Sequence, residues 1–175
     1  MDKQKLKESL LSNRKRLYCV LDGAAISNLP KRLYETRPPK CPLIRGELTP
    51  DMVHVAPYLV QLLPKGEFTG WVLDNYFGKN WGIFLHCRFT ITEMRKHFRA
   101  LITVHDEDGK PMLFRFYDPR VFRKFLPTCE PDQIETFFGK VETFFVEAEE
   151  GETLLSYKFQ NGALKQGEID LTGTK

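Results

Sequence analysis

The hydrophobic period of the chain changes inside residues 113–127, which read LFRFYDPRVFRKFLP. Met112, Phe114 and Phe116 alternate against Leu113, Arg115 and Tyr117, the two-residue period of a strand. Both sets are bulky, so the pattern predicts a central strand covered on both faces. Asp118 and Pro119 then mark a helix start. The carboxylate suits the N-cap, and proline suits the first helical position, where no N–H is needed. Pro127 ends that helix. Val121, Phe122 and Phe125 form its buried face, with Arg120, Arg123 and Lys124 outward.

The same reading carries along the chain. Leu6, Leu10 and Leu11 predict a short amphipathic helix over residues 3–15. Residues 17–21 form an apolar run ending in Asp22-Gly23, a buried strand followed by a turn. Residues 24–34 are helical, with Pro30 forcing a break or a fresh start. Residues 37–50 are a proline-rich connector with a short strand at 41–44, and 56–63 is either extended or one helical turn. A helix over 68–77 closes on Gly78, and a strand over 81–89 follows. Thr90-Ile91-Thr92-Glu93 has the form of a capping box, and Ile91, Met94, Phe98 and Leu101 give the next helix one apolar face. Asp108-Gly109 predicts a hairpin joining 101–105 to 112–117. A helix from Glu130-Pro131 to 138 buries Ile134, Phe137 and Phe138. Strands at 141–148 and 153–160 come next, and Asn161-Gly162 is the strongest hairpin signal in the chain. After Leu171 the tail TGTK reads as frayed.

These elements predict one α/β domain, with α+β as the alternative. Its sheet is mixed but mostly antiparallel, with helices packed on it. A single core is consistent with 175 residues that are 42% hydrophobic and include fourteen Phe. The net charge of +3 is too small to argue for nucleic acid, and no recognition motif accompanies the Arg95/Arg99 and Arg120/Arg123 strips. No apolar stretch is long enough to span a membrane. The first residues, MDKQKLKESLLSNRKRLY, lack the apolar core of a signal peptide, so residence in the cytoplasm is expected.

Candidate chemistry is sparse. Cys19, Cys41, Cys87 and Cys129 form no CxxC pair, and His54, His86, His97 and His105 show no HxxxH or HExxH spacing, so neither a metal nor a cofactor is expected. Cys19 and Cys87 read as small core residues, and His86 as a hydrogen-bonded strand histidine rather than a base. Asp22 at a strand end lacks the second aspartate that a phosphatase nucleophile motif needs, and reads as an Asx turn or cap. Arg115 stands out because a guanidinium between two phenylalanines needs a carboxylate. Asp118, Asp22 and Asp74 are the candidate partners. One reading is a structural ion pair at the strand-to-helix corner. The other is an arginine presented to a ligand at a strand end, and with Asp22, Asp118 and Arg120 it would suit an enzyme acting on an anionic or phosphorylated substrate.

The segment FRFYDPRVFRKFLP also resembles the signature of a family of small bacterial proteins first described as a domain of unknown function. LYCVLDGA, APYLVQL, NWGIFLHC and HFRALITV agree with it in order, so the likeness runs from about Leu17 to Val146. Characterised members of that family act as chaperones or adaptors for type VI secretion effectors. The resemblance therefore implies a non-enzymatic protein that binds an effector and helps load it onto a VgrG-type spike protein, with neither nucleic acid nor membrane as partner. It places the family motif on Arg115, Tyr117, Asp118, Pro119 and Arg120, as structural residues, with partner binding as the alternative role. On this basis residues 1–16 are an N-terminal helix, 17–148 the adaptor core and 149–175 a C-terminal hairpin extension of the same domain. Members often carry further C-terminal material; because this chain stops soon after the hairpin, no second module is expected.

Overall fold

In the computed structural model the described residues are 1–11 and 15–173. The centre is β1 (Arg16–Asp22), with β3 (Pro57–Leu62) on one side and β4 (Gly82–Cys87) on the other, both antiparallel to it. Cys19 lies opposite Val60 and Phe84 in the two registers. Beyond β3 comes the short β2 (Lys40–Pro42). Beyond β4 come β7 (Thr143–Glu147), β8 (Thr153–Gln160) and β9 (Ala163–Asp170). The order is β2-β3-β1-β4-β7-β8-β9, and every neighbouring pair is antiparallel.

The inner strands are apolar on both faces because both faces are covered. Tyr18, Val20, Ile83 and Leu85 point into one core, closed by α5 (Ile91–Leu101), α6 (Pro119–Phe125) and α7 (Pro131–Phe138). Leu17, Cys19, Leu21 and Phe84 point into the other, closed by α1 (Lys3–Leu11), α2 (Leu29–Thr36) and α4 (Glu67–Asn75). The first core is aromatic: Phe137 lies 5.8 Å from Phe122 and 5.4 Å from Phe144, and Phe98 stacks on Phe116 at 5.5 Å. Such ring pairs add to the area that they bury.

Local signals account for most element ends. Thr90 and Glu93 form the capping box of α5. Asp118 caps α6 with Pro119 at its first turn, and Pro127 sits in the 3-10 turn that follows α6. Pro30 starts α2 afresh, after a 3-10 turn at Gly23–Ala25 capped by Asp22. Asn161 and Gly162 both have positive φ, as the two-residue turn between β8 and β9 requires. The segment 56–63 is the strand β3, and α3 (Pro50–Val55), which precedes it, was not anticipated. Helix α1 is described over Lys3–Leu11; the remainder of the helix expected to 15 includes residues 12–14, outside the described residues, as is the end of the tail at 174–175.

The expectation that differs most is the strand at 112–117. Only Pro111–Leu113 is a strand (β6), and it pairs with Thr103–His105 (β5) in a separate two-stranded sheet whose six residues are all exposed. The chain then turns: Asp118 N–H donates to the Arg115 carbonyl at 3.0 Å. Phe116 and Tyr117 enter the core from this turn rather than from a sheet. The alternation of aromatic residues therefore served a hairpin arm and a turn, not a central strand. The expected hairpin is present, closed by the loop 106–110, in which the Asp106 carboxylate accepts from the N–H groups of Asp108 and Lys110 and Gly109 has φ +77°.

On β8 and β9, Lys158 lies directly opposite Lys165, and both are exposed. Strand β9 is one outer edge of the sheet.

Candidate functional site: a charged corner and an apolar groove

Two regions concentrate unusual side chains. The first is a corner at one end of the sheet, where β1 and β7 finish and β4 begins. Asp22 ends β1 and is 2% exposed; Asp118 precedes α6 and is 3% exposed. Arg115 bridges them. Its Nη2 donates to Asp22 Oδ2 at 2.5 Å and lies 3.6 Å from Asp118 Oδ2. Of the three partners considered for Arg115, two are used; Asp74 instead pairs with Lys7 on the outer side of the molecule. Arg120 grips Asp118 with two parallel bonds, Nε to Oδ1 at 3.0 Å and Nη2 to Oδ2 at 2.7 Å. This fork geometry is specific to arginine. The same Asp118 Oδ1 accepts from Arg120 N–H, and Asp22 Oδ1 accepts from Ala24 N–H, both at 3.0 Å.

Arg115 itself is not buried. Its side chain is 45% exposed and that of Arg120 is 62% exposed, so the guanidinium groups form the lid of the corner and the carboxylates its floor. The expectation of a buried arginine fails because the backbone turns away after Leu113 and carries Arg115 to the surface. Tyr117 and Pro119 are buried beside the pair. Burial, and next the charge of Asp22, push the Tyr117 phenol up to about 12. For Asp118 burial pulls upward, but the hydrogen bonds and charge of Arg120, together with Arg115, outweigh it and hold the carboxyl below its ordinary value.

A third acid belongs to this end of the sheet and was missed in the sequence. Glu147, the last residue of β7, is 1% exposed. Its carboxylate accepts from Gly78 N–H at 2.7 Å and Asn80 N–H at 2.6 Å, while Arg123 donates to its backbone carbonyl at 2.6 Å. Both Gly78 and Asn80 have positive φ, so the acid fixes a loop of unusual backbone. Burial raises its pKa, and the two N–H groups and Arg123 offset only part of that. The signal was an acid closing an apolar strand, FFVE, together with a glycine-asparagine loop elsewhere in the chain.

Other titratable groups are committed to packing. His86 Nε2 meets the Leu10 carbonyl at 2.8 Å, and His97 Nε2 meets the Phe137 carbonyl at 3.0 Å. Burial lowers both pKa values. Burial also pushes the thiols of Cys41 and Cys87 up to about 11, far from a reactive thiolate. On α5 the Arg95/Arg99 strip is only partly solvated, because Arg99 donates to the carbonyls of Pro42 and Ile44. Among the described residues, no group of three or more His, Cys, Asp or Glu side chains converges as a metal ligand set would, and no helix is long and apolar enough to cross a membrane.

The second region is an open groove of about 430 Å³ where α5 ends. Its floor and walls are Ala100, Leu101, Val104, Phe114, Phe125 and Phe137, and its outer rim is Asp132, Gln133 and Thr136 of α7. The seam between α5 and α7 explains it. Lys140 reaches Glu93 at 3.6 Å and His97 reaches Phe137 at one end, closing the two helices together. A Cβ on Gly139 would strike the His97 ring at 2.6 Å, so glycine is needed for that close approach. At the other end the small Ala100 leaves the seam open. Val104 and Met112 sit opposite each other on the exposed hairpin beside it. Periodicity could not reveal this groove, because its residues come from five segments.

A sequence profile for a domain of unknown function, DUF4123, matches residues 17–136, from β1 into α7. The chain belongs to the DUF4123 family. The matched region contains Asp22, Arg115, Tyr117, Asp118, Pro119 and Arg120, and every wall of the groove except Phe137. It stops short of Glu147 and the β7–β9 strands. No curated protein and no solved structure matches the chain.

Proposed function

We propose that this DUF4123 protein is a cytoplasmic adaptor that holds a type VI secretion effector and helps load it onto a VgrG-type spike protein. The observation that carries this reading is the segment FRFYDPR, which resembles the signature of effector adaptors and lies inside the DUF4123 match. The geometry supports it in a second way. The signature's polar groups are spent on one another and on helix caps: Asp118 holds Arg120 and the start of α6, and Arg115 holds Asp22. Among the described residues the apolar groove then stands open as a surface suited to a partner. A corner built this way serves as scaffolding for the elements that frame the groove.

Co-purification from the native host tests the reading. A tagged chain is expected to recover one large effector and a spike protein; recovery of neither overturns it. The exposed guanidinium groups of Arg115 and Arg120 favour one alternative, chemistry on an anionic or phosphorylated substrate. Turnover of a phosphorylated substrate by purified protein, abolished by Asp118→Asn in a variant that remains folded, would establish that alternative instead.

A further inference from the structure

We infer that the groove at the end of α5 receives an amphipathic helix from the partner protein, apolar on one face and flanked by lysine or arginine. The inference rests on the adaptor reading for the partner's identity, but its chemistry is set by the groove itself. Three of the walls are helix flanks: Ala100 and Leu101 of α5, Phe125 of α6 and Phe137 of α7. A fourth helix completes such packing, with its ridge of large side chains entering over the small Ala100. The volume of about 430 Å³ suits a few such side chains.

The charge around the groove selects the flanks of the incoming helix. The hairpin loop beside it carries Asp106, Glu107 and Asp108, and α7 with its cap carries Glu130, Asp132 and Glu135. Against these six carboxylates stand Lys110 in the loop, Lys96 one turn before Ala100, and Lys124 next to Phe125, while Arg99 is turned to the Pro42 and Ile44 carbonyls and Arg115 to Asp22. The surroundings are therefore acidic in a chain whose net charge is +3. Complementary charge steers and orients docking. The same acids argue against a second copy of this chain as the occupant, since a two-fold interface would set each acidic rim against its own image. They argue equally against an anionic membrane surface.

The test is direct titration with a fluorescein-labelled synthetic helix of about 15 residues. One peptide has leucines at i, i+3, i+4 and i+7 and lysines elsewhere; its control has glutamates in place of the lysines. The lysine peptide is expected to bind at least about tenfold more tightly than the control. Ala100→Trp fills the groove from an exposed position on α5, and Thr136→Trp fills it from the opposite wall. Each is expected to weaken binding about tenfold with an unchanged melting temperature. Either one, folded, suffices for the comparison. The double reversal Glu107→Lys/Asp132→Lys is expected to shift preference to the glutamate peptide.

Equal affinity for the two peptides overturns the inference. So does unaltered binding by the tryptophan variants, or a concentration-dependent dimer that displaces the peptide. An effector still retained by both tryptophan variants overturns the groove as the cargo site and leaves the adaptor reading standing. If wild-type chain recovers no effector, the adaptor reading fails, and the peptide titration alone then decides the groove.

Discussion

The corner and the groove divide the protein's unusual residues between them in opposite ways. At the corner, two buried aspartates are matched by two half-exposed arginines and by the backbone N–H groups of two helical turns. Glu147 nearby is matched by two more N–H groups. In the groove and its hairpin, Val104, Met112 and Leu113 stand in solvent beside apolar walls. Buried polar groups are tolerable only when satisfied, so the corner must be complete in the free protein. An apolar surface carries no such obligation and is free to wait for a partner. The contrast separates the residues that make the fold from those available to recognise something.

Substitutions at the two regions should therefore differ sharply, and the most severe belongs to the corner. A Cβ on Gly23, next to Asp22, would run into the Ala56 carbonyl oxygen, which is backbone and cannot step aside. Gly23→Ala is expected to cost roughly 3 kcal/mol in urea unfolding; a cost near zero would show that the corner yields. Asp118→Ala removes the cap of α6 and the partner of Arg120, an expected loss of about 2 kcal/mol. Arg115→Ala leaves Asp22 buried without its cation. Because Arg115 is itself half-exposed, the expected loss is nearer 1 kcal/mol, with binding of the lysine-rich helical peptide intact once the protein is folded.

Acid should loosen the seam of the groove before it reaches the corner. The folded pKa of His97 lies below its ordinary value of 6.5, chiefly through burial, with the charge of Lys140 adding to it. Stability from the neutral ring is thus fully present above pH 6.5 and is lost as pH falls through the folded pKa. His86 acts in the same sense. Asp118 has a folded pKa below 3.8, so its contribution holds down to that value and is lost only as pH falls further. Denaturation midpoints across acid pH should show His97→Gln losing less stability than wild type in the upper window. Identical pH profiles would mean that the ring does not sense the seam. The smallest effect is expected at the hairpin, where Met112→Ser with Leu113→Ser should change stability by less than about 0.5 kcal/mol.

How far the molecule could be read in advance follows the same division. The corner's caps were legible, because Asp118-Pro119 and Asp22-Gly23 carry their local chemistry in adjacent residues. The Thr90 capping box and the Asn161-Gly162 turn were legible for the same reason. The strand at 114–117 was misread since its two-residue alternation is equally served by a turn that drops Phe116 and Tyr117 into the core. Helix α3 was missed because none of its residues is buried, so no periodicity marked it; its signals were the Thr49 cap and Pro50. Glu147 and the groove depend on segments far apart in sequence, which local pattern cannot join. Arg115 is instructive: the need for a carboxylate was right, and Asp22 supplied it, but the reason is a lid over buried acids rather than a charge lost in a core.

The facing lysines of β8 and β9 have a consequence for life at high concentration. A bare strand edge eight residues long invites other chains to add themselves without end, the route to fibres. Here the edge strand carries Lys165, Glu168 and Asp170, with Lys158 behind Lys165 on the same sheet, charges that a strand added to this edge would have to strip of water. The outermost ribbon thus raises the cost of polymerising along the sheet.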